Sequence, residues 1–208
     1  MADADYRNAA RILFIIAAGA VPNRDPATSA SYPYRFDGET RLQALDFWVR
    51  YPDYLADELI DLYQSTDDGT FLDSARSIFA DDEPSERLLP MLRRYYGAYE
   101  NLVQPISILS LSDLVKQVTT VNSVGQSSHT YMVSEHGKSL TRVMVEQYPI
   151  LGWYARRASL VVRVGGGRGG SDLKSRQHQQ KEYHLSNVGD LIPSISERVK
   201  ERLERILA

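Results

Sequence analysis

A single change in hydrophobic periodicity constrains the fold of this 208-residue chain more than any other feature. On either side of it, apolar residues recur three or four positions apart, the spacing of amphipathic helices. Between them, Gln117–Asn122 and His129–Val133 are rich in β-branched residues and flank a polar turn around Gly125. This pattern predicts one β-hairpin, because β-branched residues favour strands and a short glycine-containing loop joins antiparallel neighbours. We therefore expect an α+β fold that is mostly helical.

The spacing of apolar residues predicts helices before and after the hairpin. A first helix is followed by a proline-rich loop over residues 22–38, and Leu160–Val164 is either a strand or the continuation of the helix before it. The region 171–190 has no clear period. Pro193 and the capping box of Ser194 and Glu197 open an amphipathic terminal helix. The remaining predicted helices cover residues 41–50, 53–64, 71–80, 86–103, 135–147 and 151–160.

The N-terminal apolar run, Ile12–Val21, has two interpretations. It resembles the core of a signal peptide, since Arg7 and Arg11 precede it. However, Asp3 and Asp5 do not suit a positively charged leader, and the apolar residues form one helical stripe. We favour a buried first helix. No apolar run reaches the roughly 18–20 residues of a membrane-spanning helix, so we expect a cytoplasmic protein without membrane contact.

Charge is distributed unevenly along the chain. Residues 1–149 hold 13 Lys/Arg and 21 Asp/Glu, whereas residues 150–208 hold 11 and 6. We therefore predict a helical domain over residues 1–160 and a basic C-terminal extension over residues 161–208, with different partners for the two. The absence of cysteine excludes disulfides, thiolate metal sites and cysteine nucleophiles.

Motifs for catalysis are weak. Gly165, Gly167 and Gly170 formally match G-x-G-x-x-G, but too little chain follows for a dinucleotide-binding fold, which favours a flexible linker. The D-x-K triplet Asp172–Lys174 follows these glycines and not a strand, which argues against a rigid nuclease metal site. The four histidines have no metal-binding spacing. We expect a protein that is not an enzyme and needs neither metal nor cofactor.

The junction after the hairpin carries a more specific pattern. Tyr131–Leu140 has the form Y-x-V-S-x-x-G-x-x-L, in which Ser134 caps a helix and Gly137 lets it approach its neighbours closely. This resembles the wing and following helix of winged-helix proteins, although an ordinary hairpin-to-helix junction gives the same pattern. We predict a winged-helix domain with N-terminal helices and a C-terminal helical extension.

Three segments in order resemble the middle-component family of bacterial ABC three-component systems, which includes accessory subunits of Lamassu-type defence systems. Arg41–Tyr54 is similar to that family's L-x-x-L-D-F/Y helix with a tyrosine-containing break, and Tyr131–Leu140 is similar to its wing junction. Val145–Val161 is similar to its closing S-x-Y-x-x-x-Y-x-x-x-A helix. Together they span about 120 residues. The chain departs from the family at Pro90 and Pro105, which interrupt the region after a possible arginine pair, and in its longer, polar wing.

The resemblance implies a non-catalytic accessory subunit that bridges an SMC- or Rad50-like ATPase and an effector, commonly a nuclease, in anti-phage or anti-plasmid defence. The alternative is a winged-helix transcription regulator, which would read DNA with a basic helix in the major groove. Helix 53–64 argues against it, because this helix carries four acids and no basic residue.

Two candidate surfaces complete the prediction. Contact with DNA, if any, would be independent of sequence and would come from cations near the wing and in the basic quarter: Lys138, Arg142, Arg156, Arg157, Arg163 and Arg168. The terminal helix would pack back onto the first helix or bind a partner through its apolar stripe: Ile195, Val199, Leu203, Ile206 and Leu207.

Overall fold

The apolar face of α1 (Ala2–Gly19) lies at the centre of one of two compact units in the structure, a computed structural model. The structure describes residues 2–80, 91–94, 97–98 and 100–207. Unit 1 contains residues 1–46 and 100–174, and unit 2 contains residues 47–99 and 175–208. This is not the predicted division at residue 160, because the chain leaves unit 1 and returns to it.

Unit 1 packs α1 against helices from the second half of the sequence. Residues Ile12–Ile16 are almost fully buried, and α1 contacts both α5 (Val103–Leu111) and α7 (Gly152–Gly165). The predicted buried first helix is therefore confirmed. Two helices, α2 (Glu39–Arg50) and α8 (Gly170–Gln179), contribute residues to both units. The remaining elements of unit 1 are β1 (Val21–Pro22), β2 (Tyr34–Asp37), α5 (Val103–Leu111), β5 (Val115–Val121), β6 (Ser127–Val133), α6 (Glu135–Gln147), a 3-10 helix (Pro149–Leu151) and α7 (Gly152–Gly165).

The sheet of unit 1 is antiparallel, with the strand order β1-β2-β6-β5. The predicted hairpin is confirmed: Val115 pairs with Val133 at one end and Val121 with Ser127 at the other. On its other side, β6 pairs with β2, where Phe36 lies opposite Tyr131. Both of these rings are buried, so the sheet closes over the apolar core at this end of the hairpin.

Unit 2 is built around α3 (Pro52–Thr66), which contacts α4 (Gly69–Ala80) and α10 (Ser196–Leu207). Just before α10, the Asp53 carboxylate accepts hydrogen bonds from the Ser194 hydroxyl and the Ile195 amide. Short strands β3 (Arg93–Arg94) and β4 (Gly97–Ala98) and helix α9 (Lys181–Leu185) complete its named elements.

Arginine side chains on α10 add a charged contact with α3. Arg202 binds Asp57 and Asp61 at 2.8 and 2.6 Å, and Arg198 lies 3.4 Å from Asp57. The Asp57 side chain is nearly inaccessible to solvent, so these pairs are partly desolvated and are screened less by salt than surface pairs.

Several predicted elements differ from the structure. The prediction of a helix over residues 86–103 is wrong where the structure has strands β3 and β4 instead. Residues 81–90 lie outside the described residues. The predicted loop 22–38 contains β2, because pairing with β6 imposes an extended backbone on Tyr34–Asp37. Of the two interpretations of Leu160–Val164, the continuation of the preceding helix is confirmed, because these residues lie in α7. Region 171–190, in which we found no clear period, contains most of α8 and all of α9.

The two units also differ in their balance of charge. Unit 1 carries 13 Lys/Arg and 11 Asp/Glu, whereas unit 2 carries 11 and 16. Unit 2 is therefore the acidic one, even though it contains the C-terminal 34 residues. Within unit 2, two cations of the C-terminal quarter, Arg198 and Arg202, pair with acids of α3.

Candidate functional site

The junction between the hairpin and α6 is fixed by short polar contacts. Ser134 accepts a hydrogen bond from the Gly137 amide at 3.0 Å and caps α6, as predicted. The same hydroxyl donates to the Asp113 carbonyl oxygen at 2.7 Å, at the entrance to β5. Gly137 is buried against the Leu114 backbone, so this helix start fits only a residue without a side chain.

Helix α5 and the hairpin together form a surface with almost no charge, which we call the hairpin face (residues 101–128). Asp113 and Lys116 are its only charged residues, although a quarter of the whole chain is charged. Four large apolar side chains of this face are between 65% and 87% exposed: Val103, Leu111, Val121 and Val124.

The polar side chains of the hairpin largely bond to one another. Thr120 and Ser128 share a hydrogen bond across the strands, and Asn122 accepts hydrogen bonds from the amides of Val124 and Gln126 in the turn. These hydrogen bonds stabilise the turn, and Val124 is exposed at its tip. An uncharged and partly apolar projection has the composition of a protein-binding surface, since the cores of such interfaces are depleted of charge.

The six cations predicted to contact DNA lie in different environments. Lys138 and Arg142 share one face of α6, and Arg156 and Arg163 are exposed on α7. Arg168 is half-buried and donates to the Val164 carbonyl oxygen at 3.3 Å. Arg157 is only 6% exposed and stacks on the Trp153 ring, so we exclude it from any phosphate-binding surface.

The apolar stripe of the terminal helix is divided between core and surface. Ile195, Val199 and Leu203 are buried within unit 2, while Ile206 is half-buried and Leu207 is 52% exposed. The helix that contacts α10 is α3 of the same unit, whereas we expected the first helix or a partner. Only the end of the stripe is open to a partner.

The candidate catalytic residues form no metal-binding group in the described part of the chain. No group of three or more histidine or acidic residues among them could hold a metal ion. Asp172 and Lys174 lie on α8, with the intervening Leu173 fully buried. Gly165 closes α7 and Gly170 opens α8, so these glycines join two helices and do not follow a strand.

Sequence reasoning missed α5, which carries part of the hairpin face, and the burial of Arg11. The Arg11 guanidinium lies 2.6 Å from Asp46, and both side chains are almost inaccessible to solvent. This buried pair raises the pKa of Arg11 despite its desolvation. The sequence did carry a signal for α5: the run from Asn101 to Ser112 contains no charged residue.

Comparisons with protein-family models, with curated proteins and with solved structures gave no significant match. Within the described residues, no helix is both long enough and apolar enough to cross a lipid bilayer.

Proposed function

We propose that this chain is a non-catalytic adaptor that binds other proteins through the hairpin face of a winged-helix unit. In this interpretation α5 is the recognition helix, because it directly precedes the hairpin, and the turn at residues 122–126 is the tip of the wing. The antiparallel pairing of β6 with both β5 and β2 supports a wing that is joined to the body of unit 1.

The observation that carries the proposal is the near absence of charge on the hairpin face. A helix that reads the major groove is surrounded by lysine and arginine, because phosphate contacts supply much of the affinity for DNA. Helix α5 has no charged residue, and the hairpin has one lysine, Lys116. Exposed valine and leucine with uncharged polar neighbours instead suit a surface that becomes desolvated against a protein.

The identity of the partners follows from the resemblance to the middle components of ABC three-component systems. We propose that the adaptor connects an SMC- or Rad50-like ATPase to an effector such as a nuclease in anti-phage or anti-plasmid defence. Two units of different charge balance support an adaptor with two distinct binding surfaces. A transcription regulator remains the alternative function.

The test is co-purification with the products of the two neighbouring genes. We expect the protein to retain at least one of them, and the double variant Val121→Asp/Val124→Asp to lose it, because buried unpaired carboxylates oppose association. Ile150→Asp is the matched control, since Ile150 is similarly exposed (69%) but lies in the 3-10 helix outside the hairpin face.

Two outcomes would oppose the proposal. Retention of the partner by Val121→Asp/Val124→Asp, with an unchanged circular dichroism spectrum, would exclude the hairpin face as the docking surface. Tight, sequence-specific binding of the protein alone to an inverted repeat upstream of its gene would favour the regulator.

A further inference from the structure

Unit 1 contains a cavity of about 390 Å³ on the side of α1 that faces α6 and α7. Its size is within the range of pockets that bind small molecules. Two cations from successive turns of α6, Lys138 and Arg142, line it together with the hydroxyl groups of Thr141 and Ser159. Strand β2 contributes Tyr34.

The two cations form no ion pair in the part of the chain that the structure describes, since neither Lys138 nor Arg142 has a carboxylate within ion-pair distance. The Lys138 ammonium lies 4.2 Å from the centre of the Tyr34 ring, a cation–π contact that holds it at the cavity wall. The acid that lines the cavity, Glu135, accepts a hydrogen bond from the Tyr34 hydroxyl, and this bond raises the pKa of that hydroxyl.

The opposite wall of the cavity is apolar. Phe14 and Ala17 of α1 are buried in the core behind it, and Ala18 and Ala155 add small side chains that leave room. The Phe14 ring stacks on Tyr154 with an angle of 16° between the planes, so the wall is held in place. A cavity with cations on one side and a fixed apolar wall on the other matches a ligand with an anionic group and an apolar body.

We propose that this cavity binds a small organic carboxylate, whose anionic group lies between Lys138 and Arg142 and whose apolar body rests against Phe14 and Ala18. Two cations and one carboxylate, Glu135, give the cavity a net charge that matches a monoanion. A dianionic phosphate carries more negative charge than this excess of one positive charge balances. The guanidinium group of Arg142 can donate two parallel hydrogen bonds to a carboxylate. This proposal is independent of the adaptor role.

The experiment uses the full chain and three probes of known charge: benzoate, its neutral analogue benzyl alcohol, and inorganic phosphate. Isothermal titration calorimetry should show benzoate binding more tightly than either of the others. Arg142→Gln should weaken benzoate binding about tenfold, the loss expected for a hydrogen bond to a charged group. Ala18→Leu keeps the charges but fills the apolar side, and should abolish binding.

Arg24→Gln is the matched control, because it removes one exposed positive charge that does not line the cavity. We expect it to bind benzoate like the wild type. Circular dichroism checks that Arg142→Gln and Ala18→Leu still fold. We expect both to do so, because both positions are exposed. The proposal is overturned if benzoate binds no better than benzyl alcohol or phosphate, or if Arg142→Gln and Arg24→Gln have the same effect.

Discussion

Gly137 lies directly against the backbone carbonyl group of Leu114, and this contact joins the start of α6 to the start of the hairpin. A Cβ atom at position 137 would overlap with backbone atoms that cannot rotate away. We predict that Gly137→Ala lowers the free energy of unfolding by about 2 kcal/mol, as is typical for overpacking in a close contact. Urea denaturation followed by circular dichroism measures it.

The control for this prediction is Gly167→Ala, because an added Cβ there would meet nothing within 4 Å. We expect it to change stability by less than about 0.5 kcal/mol. If both substitutions changed the free energy of unfolding equally, the close contact between Gly137 and Leu114 would not be needed for the stability of the start of α6.

The buried pair of Arg11 and Asp46 gives a second prediction. Asp46→Ala would leave the Arg11 guanidinium buried without its carboxylate, with Asn8 as its remaining hydrogen-bond partner among the described residues. We expect a loss of about 3–5 kcal/mol in the free energy of unfolding, the usual result of breaking a buried ion pair.

The exposed pair of Arg35 and Asp37 serves as the control for the buried pair. Both of its side chains are more than 40% accessible, so Arg35→Gln should cost less than about 1 kcal/mol. If Asp46→Ala were as mild as Arg35→Gln, the buried pair would not contribute to the stability of unit 1.

Two leucines on the terminal helix separate its core from its surface. Leu203 is 6% exposed and Leu207 is 52% exposed. We predict that Leu203→Ala lowers the free energy of unfolding by about 2–3 kcal/mol, because it creates a cavity within unit 2. Leu207→Ala should change it by less than about 0.5 kcal/mol. Reduced partner binding with Leu207→Ala, at unchanged stability, would identify the end of the stripe as a docking surface.

We expect three buried tyrosines to make the folded protein less stable at alkaline pH. Burial raises the pKa of Tyr51, Tyr54 and Tyr183. In the unfolded chain their hydroxyl groups ionise near pH 10, at about the ordinary value. Above that pH the folded state binds more protons than the unfolded state, so stability that is present below about pH 10 is lost as the pH rises.

The measurement is the urea midpoint between pH 8 and pH 11. Tyr183→Phe should reduce the decline, since it removes one of the three groups that must stay protonated. An identical decline in this variant would mean that the phenol of Tyr183 does not contribute to the pH dependence.

The fifth prediction concerns the exposed cations of α7. If the protein contacts DNA, alone or in a complex, the contact is to phosphates and is independent of sequence. Arg156→Glu/Arg163→Glu should weaken binding to unrelated duplexes equally and lower the slope of log K against log salt by about two, one for each lost phosphate contact. Fluorescence anisotropy at several salt concentrations measures both. Arg24→Glu/Lys181→Glu is the control, and an equal effect of the two double variants would contradict a specific role of α7.

Local signals in the sequence predicted the elements that depend on local interactions. The β-branched residues of the hairpin, the Ser134 cap and the stripe of α1 were all read correctly, because each acts over a few residues. Helix α5 was missed because its nine residues include Pro105 and are apolar around much of their circumference, which gives no amphipathic period. Strand β2 was missed because it is extended only through pairing with β6, about a hundred residues away.

The candidate sites were predictable to different degrees. Four residues of separation placed Lys138 and Arg142 on one face of α6, as the structure has them. Composition could not predict that Arg157 is buried against Trp153, since an arginine at such a position is usually solvated. Nor could it predict the apolar wall of the cavity, to which α1 contributes although it lies more than a hundred residues before α6 in the sequence.

The interleaved order of the two units sets the order in which they can be completed during synthesis. Unit 1 has all of its residues once the ribosome has passed residue 174, whereas unit 2 must wait for residues 175–208. Residues 47–99 are therefore synthesised early, and the helices that cover their apolar surface follow only after the whole of 100–174 has been added. Because exposed apolar surface promotes aggregation, we expect a chaperone to act on residues 47–99 of the nascent chain.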